Sequence, residues 1–210
     1  MSKIIAVLNQ KGGAGKTTIA TNLAHVLKLD GHKVILVDSD PQGSARDWNA
    51  ASDGGVLSVV GMDRPTLSKD VQSITDNHDF IIIDGAPQIA ELAIAAIKCA
   101  DIVLIPVQPS PYDIWACEDL VEIINARREV TNGKPKAAFI ISRVIKNTQL
   151  SKEIGEALEG YGLPVFKHFT TQRVIYAKSA ATGSTVFTND SNGDAADEIR
   201  SIANELKEFI

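Results

Sequence analysis

Cysteine is scarce: Cys99 and Cys117 are the only two in 210 residues. Two cysteines cannot build a disulfide framework, and these lack metal-ligand spacing, so they read as small buried apolar residues. Long apolar runs are also missing. Ile4 to Leu8 ends at once on Asn9, too short for the apolar region of a signal peptide, and no stretch is long enough to span a bilayer. A soluble, cytoplasmic protein is expected. Positive charge is in deficit, with 21 Lys plus Arg against 26 Asp plus Glu, net −5. That excludes a protein coated in basic residues for nucleic acid, though not a local basic patch. No repeat, low-complexity tract or Pro/Gly-rich linker divides the chain. What is present, 44% hydrophobic and 22% charged residues, is a globular composition at the size of one large domain. A single domain over 1–210 is the economical reading.

Short β-branched runs recur at Ile4–Leu8, Val34–Val37, Phe80–Ile83, Ile102–Ile105 and Ala138–Ile141. They are continuously apolar, as strands covered by helices on both faces must be. Helical patterns separate them at about 16–30, 66–77, 88–99 and 113–131. Such alternation predicts βαβ crossovers and a doubly wound, mostly parallel α/β sheet. Weaker strands are expected at Leu57–Gly61 and Leu163–Lys167. Near the end, Ala195, Ile199, Ile202, Leu206 and Phe209 are spaced by three or four residues and make one apolar helix face.

Directly after the first run comes Asn9-Gln10-Lys11-Gly12-Gly13-Ala14-Gly15-Lys16-Thr17-Thr18. A strand, a Gly-rich turn and a Lys-Thr pair opening a helix are the recipe for a triphosphate cradle. The backbone N–H groups from Gly12 to Thr18 converge on phosphate oxygens, and the helix N-terminus adds positive potential. Lys16 would neutralise β/γ-phosphate charge and the Thr17 hydroxyl would meet Mg²⁺. A second lysine, Lys11, opens the loop. An exposed lysine is ordinarily just solvated, but here it is placed to reach the nucleotide of a facing copy.

Two further segments end apolar runs on carboxylates. Val37-Asp38-Ser39-Asp40-Pro41 puts two acids at the sheet edge where open α/β sheets bind ligands. Beside a phosphate loop the work of Asp38 and Asp40 is to organise Mg²⁺ and to position the attacking water. Phe80-Ile81-Ile82-Ile83-Asp84 reads as a Walker B strand whose acid, Asp84, holds the metal.

The Lys-Gly-Gly-x-Gly-Lys-Thr loop, the Asp-x-Asp-Pro segment and the Walker B strand together resemble the deviant Walker A ATPases of the ParA/MinD group. The chain looks most like the short, ParF-like plasmid-partition members. The resemblance implies ATP/ADP as ligand, an ATP-sandwich homodimer in which Lys11 acts in trans, and Asp40 as the residue needed for hydrolysis, with Asp38 supporting the metal. It further implies that the Pro-rich segment Pro106–Pro111 borders adenine, with Pro109 and Arg143 as candidate base contacts. A small centromere-binding protein is the implied partner. The phosphate loop starts within ten residues of Met1, so no N-terminal helix-turn-helix domain is expected, and DNA binding would be non-specific and through phosphates.

Charge is sorted along the chain. Residues 134–180 carry +5 and the remainder −10. Arg173, Lys178, Lys146 and Lys152 are the candidate phosphate contacts, and ATP-driven dimerisation, by doubling the patch, is the expected switch for nucleoid association. Two alternatives share the nucleotide motifs. A MinD-like positioning ATPase would end in a basic membrane helix, yet 194–210 is net −3, so no membrane partner is expected. A metabolite ligase or kinase of the dethiobiotin-synthetase kind would not need Lys11.

Overall fold

The computed structural model describes residues 2–52, 55–87, 90–145 and 150–210, with side chains of the last segment from 154 onward. Six strands form one parallel sheet: β1 (Lys3–Val7), β2 (Val34–Asp38), β3 (Ser58–Gly61), β4 (Phe80–Asp84), β5 (Ile102–Val107) and β6 (Lys136–Ile141), in the order β3-β2-β4-β1-β5-β6. β1 is central, so its carboxyl end opens between those of β4 and β5. Register aligns Val7 with Asp84 on one side and Leu104 on the other, and Asp38 with Asp84. The motif-bearing ends therefore emerge level with one another.

Both sides of each central strand are apolar because both faces are covered. Ile5, Val7, Ile82 and Leu104 pack under α1 (Lys16–Leu29) and the last helix; Ile4, Ala6, Ile83 and Val103 form a second core on the opposite face. The intervening helices are α2 (Ser44–Ala50), α3 (Leu67–Asp70), α4 (Ala90–Cys99), α5 (Pro111–Trp115), α6 (Glu118–Glu129), α7 (Leu150–Glu159), α8 (Val174–Ala181), α9 (Val186–Asn189) and α10 (Asp194–Phe209).

Three sequence expectations change here. The pattern over 66–77 is α3 followed by a tighter 3₁₀ turn at Val71–Asn77. That over 113–131 is two helices: Pro111 starts α5 early, and Cys117 N–H bonds back only three residues, to Ile114 C=O, before α6 begins. Leu163–Lys167 is not a strand. Phe139 and Val165 make one isolated bridge, and the N–H groups of Lys167 and His168 are taken by the Glu205 carboxylate of α10 rather than by β6. The weak strand at 57–61 is present as β3, and α10 buries Ala195, Ile199, Ile202 and Leu206 as its spacing requires.

Candidate functional site

The loop between β1 and α1 is tied down from beneath. Asn9 Nδ2 donates to Pro106 C=O (2.7 Å) while its Oδ1 accepts from Lys11 N–H (2.8 Å). Gln108 Nε2 donates to Gly13 C=O (2.6 Å), and Ser142 Oγ donates to Ala14 C=O (2.7 Å). These bonds hold the Gly13 and Ala14 carbonyls at the sheet ends, and with Lys11 N–H taken by Asn9 an anion would meet the N–H groups from Gly12 onward. Gly15 caps α1 at φ 100°, left-handed backbone that favours glycine, and an added Cβ would lie 3.4 Å from Ser142 Oγ. Sequence reading missed Asn9 and Gln108 as loop ties. Gln108, like Ser142 and Ser39, stands immediately after the last residue of a strand, a position that marks the ligand edge without telling which carbonyl the side chain meets.

Lys16 and Lys11 are placed differently. The Lys16 ammonium is buried in the cradle and donates to Lys11 C=O (3.0 Å). Burial lowers its pKa, against the opposing charges of Asp84 and Asp40. Lys11 is 40% exposed at the rim and pairs with the buried carboxylate of Asp113 at 2.5 Å. Asp113, on α5, is another residue that sequence reading missed.

Thr17 Oγ1 donates to Asp84 Oδ2 (2.7 Å), while Asp84 Oδ1 is buried without a hydrogen-bond partner. Burial pushes the Asp84 carboxyl up to about 7. An orphaned carboxylate oxygen beside a threonine hydroxyl at a phosphate loop fits Mg²⁺, which takes few protein ligands and completes its shell with phosphate and water. Among the described residues no cluster of three His, Cys, Asp or Glu side chains could hold a metal alone. Asp38, expected near the metal, is engaged locally: its Oδ1 accepts from Asp40 N–H (3.0 Å) and its Oδ2 from Arg46 N–H (2.9 Å), with the Arg46 guanidinium 3.4 Å away. These bonds hold the start of α2. Asp40 is buried at the same edge and accepts from Gln42 N–H (2.9 Å).

Next to the loop lies a cavity of about 900 Å³, walled by Gly15 and Thr18 on one side and by 142–145 and 170–177 on the others. Arg143 lines it with φ 55°, a left-handed backbone costly for a non-glycine residue and characteristic of ligand clamps. Pro109 is not among its lining residues; the Pro-rich segment reaches the site through Gln108 instead. Of the candidate DNA contacts, Lys178 is exposed on α8. The Arg173 guanidinium is paired with Glu198 (3.0 Å) and with the exposed Asp194 (2.8 Å). Lys146 and the Lys152 side chain lie outside the described residues.

A parallel α/β sheet whose central strand feeds a glycine-rich, backbone-tied loop into a helix, with a Walker B carboxylate alongside, defines a P-loop nucleotide-binding domain. The chain belongs to the CobQ/CobB/MinD/ParA nucleotide-binding domain family, whose pattern matches residues 5–186. It is 36% identical over 209 residues, 96% of this chain and 95% of the relative, to the maintenance of carboxysome distribution protein A of Halothiobacillus neapolitanus. It is 27% identical to the sporulation initiation inhibitor protein Soj of Bacillus subtilis, with 98% of each chain covered. In fold it matches the septum site-determining protein MinD of Pyrococcus horikoshii, solved with Mg-ADP, at a TM-score of 0.78 and 16% identity, covering 100% of this chain and 97% of that one.

Proposed function

We propose that this chain is a Mg²⁺-dependent ATPase that closes into an ATP-bound homodimer, holds DNA non-specifically in that state, and positions a cargo through a small partner protein. One observation carries the reading: the loop's two lysines are separated, Lys16 buried inside the cradle and Lys11 exposed at its rim. In the dimer this rim cation exchanges its Asp113 partner for the phosphates of a copy facing it.

In this reading the phosphates lie on Gly12–Thr18 and the base enters the cavity beside Arg143. Mg²⁺, held by Thr17 and Asp84, would neutralise charge on the phosphates. Lys16 balances the β/γ oxygens, and Asp40 orients water in line with the bond that breaks. Among the described residues no second side chain is assigned to that water, so the chain alone turns over slowly. An arginine from the partner would accelerate it by roughly 10³–10⁵-fold. The whole chain acts as one ATPase domain, cytoplasmic and nucleoid-bound when loaded with ATP.

The partition reading takes a plasmid or chromosome as cargo and a centromere-binding protein as partner. The 36% identity to a protein named for carboxysome distribution supports a second cargo class, a protein body, moved by the same cycle. Light scattering with ATP and Mg²⁺ tests the core of the proposal. Lys11→Ala should bind ATP but stay monomeric, and a Lys11→Ala dimer would sink the trans role. Lys16→Ala should lose hydrolysis by about 10²–10³-fold. Gel shifts with a non-hydrolysable analogue test the DNA arm, which equal binding with and without nucleotide would refute. Turnover driven by a small acceptor molecule, without DNA or partner, would instead favour a metabolite kinase.

A further inference from the structure

The C-terminal helix α10 grips the far wall of the 900 Å³ cavity. Glu198 is only 13% exposed and its carboxylate accepts four hydrogen bonds from that wall. Thr171 donates through N–H to Oε2 (3.0 Å) and through Oγ1 to Oε1 (2.6 Å). Arg173 Nε donates to Oε1 (3.0 Å), and the Tyr176 hydroxyl donates to Oε2 (2.9 Å). Thr171, Arg173 and Tyr176 all line the cavity. Their neighbours complete a frame with the opposite wall: Val144 N–H donates to Thr170 C=O (2.8 Å), Gln172 N–H to Val144 C=O (3.0 Å), and Arg143 N–H to Thr170 Oγ1 (3.2 Å). The wall that carries Arg143 is thus fastened to 170–172, and 171–176 is fastened to one carboxylate.

Two turns along α10, Glu205 makes a similar grip. It accepts from Lys167 N–H (2.8 Å) and from His168 N–H (3.0 Å). Neither Lys167 nor His168 lines the cavity. The two glutamates therefore do the same structural work on one loop, but only Glu198 does it at the cavity.

We infer that Glu198 is a positioning residue for the nucleoside: it fixes Thr171, Arg173 and Tyr176 so that the cavity is already shaped before the base enters. A wall held in advance spares the ligand the cost of ordering it, and that saving appears in affinity. The effect belongs to the base and sugar end of the nucleotide. The phosphates are held by the loop, whose ties run to Asn9, Gln108 and Ser142 and not to α10. Burial, reinforced by the Glu198 charge, raises the Tyr176 pKa, which keeps that phenol a donor at every working pH. This inference rests on the reading that the cavity receives the nucleoside.

The test compares the full-length chain with Glu198→Gln, Tyr176→Phe and Glu205→Gln, titrating each with ATP and with inorganic tripolyphosphate. Glu198→Gln should weaken ATP by about tenfold, the worth of lost charge-assisted hydrogen bonds, and leave tripolyphosphate within about twofold. Its KM for ATP should rise while kcat at saturating ATP holds. Tyr176→Phe, which keeps the carboxylate and is milder, should shift ATP affinity in the same direction. Glu205→Gln should lower the melting temperature and leave both affinities unchanged. Equal ATP affinity in Glu198→Gln and wild type, or equal weakening of ATP and tripolyphosphate, overturns the inference. Wild-type protein that binds tripolyphosphate as tightly as ATP overturns the nucleoside reading beneath it.

Discussion

Lys11 and Asp113 form an ion pair of unequal exposure, 40% against 4%, and Asp113 Oδ1 has no partner of its own. Removing the lysine strands a buried carboxylate, which costs more than the pair itself is worth. Lys11→Ala should therefore destabilise the apo protein by about 1–3 kcal/mol in urea denaturation. Asp113→Asn in the same chain should recover most of that loss. Gly85 offers a steric counterpart. A Cβ there would sit 2.4 Å from Leu8 Cδ2 and 2.9 Å from Val7 C=O, because Gly85 N–H bonds to Val7 C=O across the sheet end. Gly85→Ala should cost about 1–3 kcal/mol, read as a lowered midpoint. His25 supplies a pH dependence. Its Nδ1 meets Thr185 Oγ1 (2.5 Å), its ring packs edge-on against Phe187, and burial, with Lys28 adding to it, lowers its pKa to about 4. The unfolded chain then binds a proton near the ordinary value of 6.5 while the folded chain does not. Stability from this group is present above about pH 6.5 and lost as pH falls toward 4. A melting series from pH 7 to 4.5 should show a shallower decline for His25→Gln than for wild type. Residues that serve the loop's backbone, such as Asn9 and Gln108, were not legible as such, because a carboxamide in a sequence does not say which carbonyl it will meet.

At the scale of elements, legibility followed burial. Strands covered on both faces are apolar at every position, so β1, β2, β4, β5 and β6 could be read directly. The same holds for α10, whose buried face repeats every three or four residues. Leu206, fully buried against α1 and the sheet, is the natural probe: Leu206→Ala should lose about 2–5 kcal/mol by chemical denaturation. The segment at 163–167 misled because it has a strand's composition, but after Phe166 N–H reaches Phe139 C=O the next donor, Lys167 N–H, goes to a carboxylate. A glutamate 38 residues away from Lys167 decided the matter. The division between α5 and α6 was likewise hidden, since apolar spacing alone does not register the three-residue turn at Cys117.

Across the whole molecule, the uneven charge of the sequence acquires a structural meaning. Part of the +5 of residues 134–180 meets the acidic α10: Arg173 pairs with Glu198 and Asp194, while the Lys136 ammonium donates to the carbonyls of Phe209 and Ile210 and keeps its charge. Among the described residues fewer of these cations are unpaired by acids than the linear count suggests, and Lys178 is an exposed one on α8. The apolar face of α10 is committed to the core, and among the described residues no helix is long and apolar enough to cross a membrane. Because α10 turns its apolar face inward and exposes Asp194, Asp197 and Glu208, vesicles containing anionic phosphatidylglycerol should leave the ATP-loaded protein in the supernatant on sedimentation.

The amino-acid sequence by itself determined the parallel α/β sheet, the phosphate loop and the order of its three motifs. Each of these depends on local pattern: continuous apolar runs, glycines before Lys-Thr, a carboxylate ending a strand. Tertiary structure alone decided which charges are free. Asp38 turned to α2, Arg173 turned to α10, Lys11 found Asp113, and Asp84 kept one oxygen without a partner. The physical reason is that a charge is defined by its partners and its solvation, and both are set by residues far away in the chain.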